Sequence, residues 1–203
     1  MFTGIVETLG TVVGVQHEGT NVHLDVESRL APELRVDQSL AHNGVCLTVV
    51  ALHGPSDQPT GYRVTAIDET LRKTTLGTWT AGTKVNLERC MLANGRLDGH
   101  IVQGHVDTVG RVAAIEDHNG SWVYRLEHSV AADWVTVNKG SITVNGTSLT
   151  VVDAAPDGFS VAIIPYTYDH TVFHTLQVGD PVNLEFDILG KYAAALLART
   201  QSK

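Results

Sequence analysis

The chain carries the same segments twice, in the same order and about 100 residues apart, and this duplication limits the folds open to it. Residues 41–50 recur as residues 143–152, with Asn, Gly, Leu, Thr, Val and Val at matching places. A second block matches on every second residue, at Gly4, Val6, Thr8, Gly10 and Val12 and again at Gly104, Val106, Thr108, Gly110 and Val112. A third block, Val-Asn-Leu-Glu, stands at residues 85–88 and again at residues 182–185. Two copies predict two similar domains, because a solenoid needs at least about three repeats.

The duplicated segments have the pattern of short β-strands separated by turns. Residues 22–26 and 122–126 alternate side-chain character, which is typical of strands with one buried face. Asn-Gly at residues 43–44 and 145–146 favours the positive φ values of tight hairpin turns. The sequence therefore predicts an all-β chain in which each half is a sandwich or a small closed barrel.

Helices and a linker are predicted outside these strands. Short helices are expected at residues 69–75 and 169–174, and residues 93–99 are interpreted as the linker between the halves. From Asp187, a suitable N-cap, apolar residues recur at helical spacing and predict a C-terminal helix over residues 188–203. Such a helix is marginal alone, so it is expected to pack on its own domain or against other subunits.

Charge and composition argue against several classes of function. The net charge is −8 at pH 7 and no basic run exceeds Arg72-Lys73, which disfavours nucleic acid and anionic membranes as partners. The first ten residues do not resemble a signal peptide, and no apolar stretch is long enough to span a bilayer. Cys46 and Cys90 form neither a disulfide framework nor a metal-type cluster. A reducing, cytoplasmic compartment is the expectation.

Three familiar site motifs are absent or incomplete. Residues 77–84 resemble a phosphate-binding loop, but Lys84 stands one position late and leads into an apparent strand. The odd spacing of His100 and His105 places them on opposite strand faces, and no further ligand pattern completes a metal site. No dinucleotide-binding glycine fingerprint is present. The sequence therefore predicts no metal and no nucleotide site.

The strand after each Asn-Gly turn carries a polar pair on one face. Cys46 and Thr48 share a face in the first copy, as do Ser148 and Thr150 in the second. Such pairs often only face water, and Cys46 alone would more often be a buried structural thiol. Recurrence of the pair in two diverged halves favours two similar pockets.

The two halves differ at ionisable positions. His105 stands where the first half has Ile5, and Lys139 stands where it has Asp37. Because a histidine titrates near neutral pH, this difference would suit binding the same molecule twice and treating each copy differently. An ordinary strand histidine is the alternative for His105.

These segments together resemble the riboflavin synthase family. The resemblance rests on residues 1–7, 43–48, 99–106 and 145–150, and it extends in order over nearly the whole chain. The implied reaction is the dismutation of two molecules of 6,7-dimethyl-8-ribityllumazine by transfer of a four-carbon unit. Riboflavin and 5-amino-6-(D-ribitylamino)uracil are the products. One substrate oxidises the other, so no cofactor is implied.

The same resemblance implies an architecture and an assembly. It indicates two six-stranded Greek-key barrels, an N-terminal one over residues 1–97 and a C-terminal one over residues 98–187, each binding a lumazine. The helix over residues 188–203 would assemble a homotrimer.

The resemblance also implies which residues contact the substrates. In the N-terminal barrel they are Gly4, Ile5, Val6, Cys46, Leu47, Thr48, Thr65, Ala66, Ile67, Asp68, Glu69 and Thr70. In the C-terminal barrel they are Gly104, His105, Val106, Lys139, Ser148, Leu149, Thr150, Ile164, Pro165, Tyr166, Thr167, Tyr168 and Asp169. Further positions near the chemistry are Phe2, Ser39, Asn145 and Asp187. Residues 165–170 depart from the Glu-Thr-Leu form kept at residues 69–71, which weakens the contacts expected from the two tyrosines.

Roles follow from the chemistry of these groups. His105, Ser148 and Thr150 are the candidates for proton transfer and for activating an added nucleophile. Cys46 and Ser39 are expected to position the partner molecule. Two alternatives stay open: a non-catalytic lumazine- or flavin-binding antenna protein, and a flavin-dependent oxidoreductase barrel. The first would keep a competent pocket in only one half, and the second would need a nicotinamide domain.

Overall fold

The computed structural model describes residues 1–201, which contain two closed six-stranded antiparallel barrels and a C-terminal helix. The first barrel runs in the order β1-β2-β5-β4-β3-β6. Because β2 pairs with β5 and not with β3, the connections have the Greek-key order. Its strands are β1 (Thr8–Glu18), β2 (Asn21–Glu27), β3 (Ser39–His42), β4 (Val45–His53), β5 (Gly61–Ala66) and β6 (Lys84–Arg89).

The second barrel repeats this order, with β8 pairing with β11 as β2 pairs with β5. Its strands are β7 (Thr108–Asp117), β8 (Trp122–Glu127), β9 (Ser141–Val144), β10 (Thr147–Ala155), β11 (Gly158–Ile163) and β12 (Pro181–Phe186). Each barrel encloses its own apolar core, and alternate residues of each strand point into it. The predicted fold class is confirmed, and the linker predicted at residues 93–99 lies between β6 and β7.

The three helices follow β5, β11 and β12. They are α1 (Asp68–Lys73), α2 (Pro165–His170) and α3 (Ile188–Gln201), and short 3₁₀ turns lie at Ala31–Glu33, Thr75–Thr78 and Val172–Thr175. The prediction of a helix at residues 169–174 was wrong by about one turn. Proline favours the first helical position, so α2 begins at Pro165, and it ends before Thr171, whose backbone is extended.

The C-terminal helix is confirmed from residue 188 to residue 201, and residues 202–203 of the prediction lie outside the described part of the chain. The Asp187 carboxylate accepts the Leu189 N–H at 3.0 Å, which confirms the predicted N-cap. Within residues 1–201, no helix is long and apolar enough to cross a membrane.

Four asparagines join the barrels through buried hydrogen bonds. The Asn86 side-chain amide donates to the Asn145 carbonyl at 2.8 Å, and the Asn183 amide donates to the Asn43 carbonyl at 2.9 Å. The Asn43 and Asn145 side chains in turn accept the backbone N–H groups of Asn86 and Asn183. The two Asn-Gly turns therefore meet at the barrel interface. Asn86 and Asn183, from the repeated Val-Asn-Leu-Glu block, hold them there by hydrogen bonds.

One buried pair makes the first barrel sensitive to acid. The His42 ring bonds to the Leu40 carbonyl at 3.0 Å and to the Tyr62 hydroxyl at 2.9 Å. Burial lowers the pKa of His42 from 6.5 to about 4. Between these pH values the unfolded imidazole is protonated and the folded one is not, so the stabilisation is complete above pH 6.5 and lost as the pH falls.

We expect the free energy of unfolding to fall by roughly 2–2.5 kcal/mol between pH 7 and pH 4.5 through protonation of His42. The second barrel has Val144 and Phe159 at the equivalent positions, which supplies a matched control. Urea unfolding measures this, and the His42→Val/Tyr62→Phe variant should not show this part of the decrease in the free energy of unfolding at low pH. An equal loss in both proteins would contradict the assignment to His42.

Candidate active site

Two extended arms cross between the barrels. Residues 1–5 precede the first barrel and residues 100–105 precede the second. The Phe2 N–H donates to the Val102 carbonyl at 2.7 Å, and the Val102 N–H donates back to the Phe2 carbonyl at 3.1 Å. Phe2 and Val102 are both buried at this crossing, next to Ala41. After the crossing, each arm lies against the opposite barrel.

The contact points of the two arms are equivalent. The Cys46 N–H of β4 donates to the Gly104 carbonyl at 2.9 Å, and the Ser148 N–H of β10 donates to the Gly4 carbonyl at 2.7 Å. Both glycines have φ of +78°, and a Cβ at Gly104 or Gly4 would lie within 2.7 Å of the neighbouring Cβ. Only glycine therefore allows an arm to lie this close to the strand.

The resemblance grouped each arm with the barrel that follows it, whereas the structure places each arm against the opposite barrel. Gly104, His105 and Val106 line the pocket on the first barrel, and Val106 packs against the first core. Gly4 and the arm that carries Ile5 and Val6 meet Ser148 on the second barrel. Repeats show which segments are equivalent, but the barrel that each one contacts depends on the crossing of the chain.

The first pocket is a cavity of about 260 Å³ between β4, α1 and the second arm. It brings together six residues predicted from the sequence, which are Cys46, Glu69, Thr70, Gly104, His105 and Val106. His105 is exposed to solvent. The pocket adds Lys73 and Thr74, which the sequence did not indicate. Charged and hydroxyl groups thus surround the thiol.

The chemistry of Cys46 favours a neutral thiol. Burial raises the pKa of Cys46 above its ordinary value, and a hydrogen bond from Ser39 partly opposes this shift. A thiol with a raised pKa is a poor nucleophile near neutral pH. Cys46, with Ser39 hydrogen-bonded to its thiol, is therefore suited to positioning a ligand and not to attacking it.

On the second barrel, Ser148 is bonded to a histidine that the sequence did not single out for this role. The Ser148 hydroxyl lies 2.7 Å from His100 Nδ1, and His100 Nε2 lies 3.1 Å from the Thr143 hydroxyl. Burial lowers the pKa of His100, although the charge of Asp187 partly raises it. A neutral ring protonated at Nε2 would donate to Thr143 and accept the Ser148 proton at Nδ1. This arrangement can activate the Ser148 hydroxyl.

The comparisons with known proteins agree with this geometry. The model of the lumazine binding domain matches residues 3–90 and again residues 103–187. Riboflavin synthase of Bacillus amyloliquefaciens is 40% identical over 202 residues, covering 99% of this chain and 92% of the relative. Riboflavin synthase of Actinobacillus pleuropneumoniae is 40% identical over 201 residues, covering 98% and 91%. The chain belongs to the riboflavin synthase family.

A solved structure shares the fold. The crystal structure of LumP complexed with riboflavin has a TM-score of 0.81 at 22% identity, over 92% of this chain and 99% of that one. The resemblance of the sequence to the riboflavin synthase family is confirmed.

Several residues that the family resemblance selected turn their side chains away from the pockets. Phe2 is buried at the arm crossing, and Asn145 belongs to the interface between the barrels. Leu47 and Ala66 point into the first core, and Leu149 packs against the second. Only backbone groups of these residues could face a ligand, so we assign their side chains to the fold.

The remaining predicted positions lie on the arms, within strands, at turns and in the helices α1 and α2. Lys139 has a positive φ of 67° like its counterpart Asp37, and it is exposed. Thr65 bonds to the His23 ring at 2.9 Å. The side chains exposed to solvent are Ile5, Thr48, Ile67, Asp68, Glu69, Thr150, Ile164, Pro165, Tyr166 and Asp169, while Val6 and Thr167 are half-buried.

The helices α1 and α2 differ within this family architecture. In α1, Lys73 and Glu69 form an ion pair at 2.9 Å on the pocket rim. In α2 the equivalent positions hold Tyr166 and His170, whose rings stack with centroids 4.1 Å apart. Tyr168 stacks instead on Trp122 at 3.7 Å, against the second core. The first rim is therefore charged and the second is aromatic.

Within residues 1–201, no group of three or more His, Cys, Asp or Glu side chains is arranged to hold a metal ion.

Proposed function

We propose that the chain catalyses the dismutation of two 6,7-dimethyl-8-ribityllumazine molecules into riboflavin and 5-amino-6-(D-ribitylamino)uracil. The observation that carries this proposal is the pair of equivalent sites, each built from one barrel and the arm of the other. The first seat lies on the first barrel beside Cys46 and His105, and the second seat lies on the second barrel beside Gly4 and Ser148. Two such similar binding sites suit two identical substrates. Their different ionisable groups suit one donor and one acceptor of the four-carbon unit.

Each seat supplies a different acid–base group. His105 is exposed beside Cys46 at the first seat, where it can accept or return a proton. At the second seat, Ser148 can give its proton to His100 as its own oxygen adds to the lumazine ring, and His100 returns the proton when that bond breaks. Thr150 lies on the same strand face as Ser148. The two products together contain all atoms of the two substrates, so neither an oxidant nor a cofactor is consumed.

We further propose that the two seats of one reaction belong to neighbouring subunits of a homotrimer. Two substrates react only when held face to face at close distance. Lys191 in the first turn of α3 bonds to Asp107 at 2.7 Å, but most of the large apolar side chains of this helix are open to solvent. Leu189, Tyr192, Leu196 and Leu197 are all at least 63% exposed, which supports contact with other subunits.

The proposed function is tested with the full chain and 6,7-dimethyl-8-ribityllumazine alone. Riboflavin should accumulate, and its fluorescence measures the rate. The Ser148→Ala variant should be slower while its far-UV circular dichroism is unchanged. Tight binding of the lumazine with no riboflavin formed would instead identify a non-catalytic binding protein.

The aromatic rim gives a prediction specific to the second seat. Tyr166 has one ring face covered by His170, and the side chain is 69% exposed. A bicyclic aromatic ligand can stack on the open face, so Tyr166→Leu should weaken riboflavin binding at this seat by about three- to tenfold. The matched control is Tyr166→Phe, which keeps the aromatic ring and should bind riboflavin with unchanged affinity when it is titrated. Unchanged affinity in the leucine variant would show that the ring does not contact the ligand.

A further inference from the structure

The repeated Val-Asn-Leu-Glu block ends in a buried carboxylate in each barrel. Glu185 on β12 is 3% exposed and accepts three backbone N–H groups of the second arm. Its Oε1 lies 2.6 Å from the Gln103 nitrogen, and its Oε2 lies 2.9 Å from the nitrogens of Gly104 and His105. The carboxylate thus fixes the backbone of His105, the residue that reaches the first seat.

Glu88 on β6 does the same for the first arm. Its Oε1 accepts both the N–H and the hydroxyl of Thr3 at 2.7 Å, and its Oε2 accepts the Gly4 N–H at 3.0 Å. Burial raises the pKa of both glutamates, and their hydrogen bonds to the arms oppose that shift. Each carboxylate therefore lies in one barrel and holds an arm that ends against the other.

We propose that Glu185 is a positioning residue for the first-barrel seat and that Glu88 is a positioning residue for the second-barrel seat. Glu185 acts through Gly104 and His105, and Glu88 acts through Gly4. The inference rests on the proposed function in using riboflavin as the ligand of both seats and turnover as one readout.

The geometry separates this role from support of the fold. The ladders that close each barrel are formed between strands, whereas these carboxylate bonds go to arm residues outside the strands. Loss of a carboxylate that only supported the fold would loosen its own barrel. Loss of a positioning carboxylate loosens the seat on the opposite barrel, where Cys46 donates to the second arm and Ser148 donates to the first.

The test compares Glu185→Gln with Glu88→Gln in the full-length chain by hydrogen exchange, with and without riboflavin. An amide side chain offers one acceptor oxygen where the carboxylate offers two, so the arm N–H groups lose partners. In Glu185→Gln, exchange at Cys46 should rise about tenfold while exchange at Ser148 stays unchanged. Riboflavin should then protect residues 45–48 less than in the unmodified chain. Glu88→Gln should show the reverse pattern.

Turnover supplies a second readout. Glu185→Gln should lower kcat more than it raises KM, because it displaces His105 without removing the rest of the first seat. Glu185→Asp keeps the charge and both acceptor oxygens, so it should recover part of the loss. If a glutamine variant does not fold, the aspartate variants of both positions are compared instead. Each should again raise exchange at the seat on the opposite barrel, which we call the crosswise pattern.

An increase in exchange confined to the barrel that carries the substituted glutamate would overturn the proposal, as would equal effects at both seats. The exchange pattern without ligand is independent of turnover. An inactive chain that still shows the crosswise pattern would therefore count against the proposed reaction and not against the positioning role.

Discussion

Two inactive variants are expected to recover about one quarter of the unmodified activity when they are co-expressed and mix at random. The first carries Thr48→Trp and His105→Ala and is damaged only at the first-barrel seat. The second carries Thr150→Trp and Ser148→Ala and is damaged only at the second-barrel seat. If a first seat faces a second seat of a neighbouring subunit, one in about four such pairs is formed from two undamaged halves.

A matched control tests the crossing of the arms in the same experiment. A chain with both His105→Ala and Ser148→Ala is damaged at both seats in this structure, so co-expression with Thr48→Trp should restore nothing. If His105 served the second barrel, that chain would keep an intact first seat and activity would return. Absence of recovery in the first mixture, with mixed oligomers demonstrated by mass spectrometry, would place both seats within one chain.

Replacing Asn86 with alanine is expected to lower the free energy of unfolding by roughly 2–5 kcal/mol. The Asn86 side chain donates to the Asn145 carbonyl at 2.8 Å and accepts the Val172 N–H at 2.9 Å. These groups are buried between the barrels, where water cannot replace the lost partners. Alanine therefore leaves a donor and an acceptor unpaired.

Its control lies on the same strand. Lys84 is exposed and bonds only at the surface, to the Thr11 hydroxyl, so Lys84→Ala should change stability by less than about 0.5 kcal/mol. Asn183→Ala removes the equivalent bonds and should cost as much as Asn86→Ala. Urea unfolding followed by circular dichroism measures all three. If Asn86→Ala lowered the free energy of unfolding no more than Lys84→Ala does, the asparagines would not be what joins the barrels.

The barrels could be predicted because their determinants are local and occur twice. Asn43 and Gly44 have φ of 44° and 81°, and Asn145 and Gly146 have φ of 46° and 78°, as the Asn-Gly turns predicted. Alternation of apolar residues then determines which face of each strand enters a core. The N-cap at Asp187 is equally local.

The composition of the seats could not be predicted, because it depends on contacts distant in sequence. The crossing at Phe2 and Val102 exchanges the arms, and a symmetrical repeat is consistent with either arrangement. His100 has no matching residue in the first half, so the repeat pattern did not draw attention to its bond with Ser148. The signal available was its position five residues before His105 in the same arm, and this alone does not indicate a partner.

The most direct test of the proposed dismutation is to measure the amounts of both products formed from one substrate in a closed reaction. The full-length chain is incubated with 6,7-dimethyl-8-ribityllumazine and nothing else that can react, and all three compounds are quantified by chromatography. Because both products come from the same two molecules, riboflavin and 5-amino-6-(D-ribitylamino)uracil should appear in equal amounts, each at half the lumazine consumed. Lumazine that stays bound and unconverted, or riboflavin formed without an equal amount of the uracil, would contradict a dismutation between two seats.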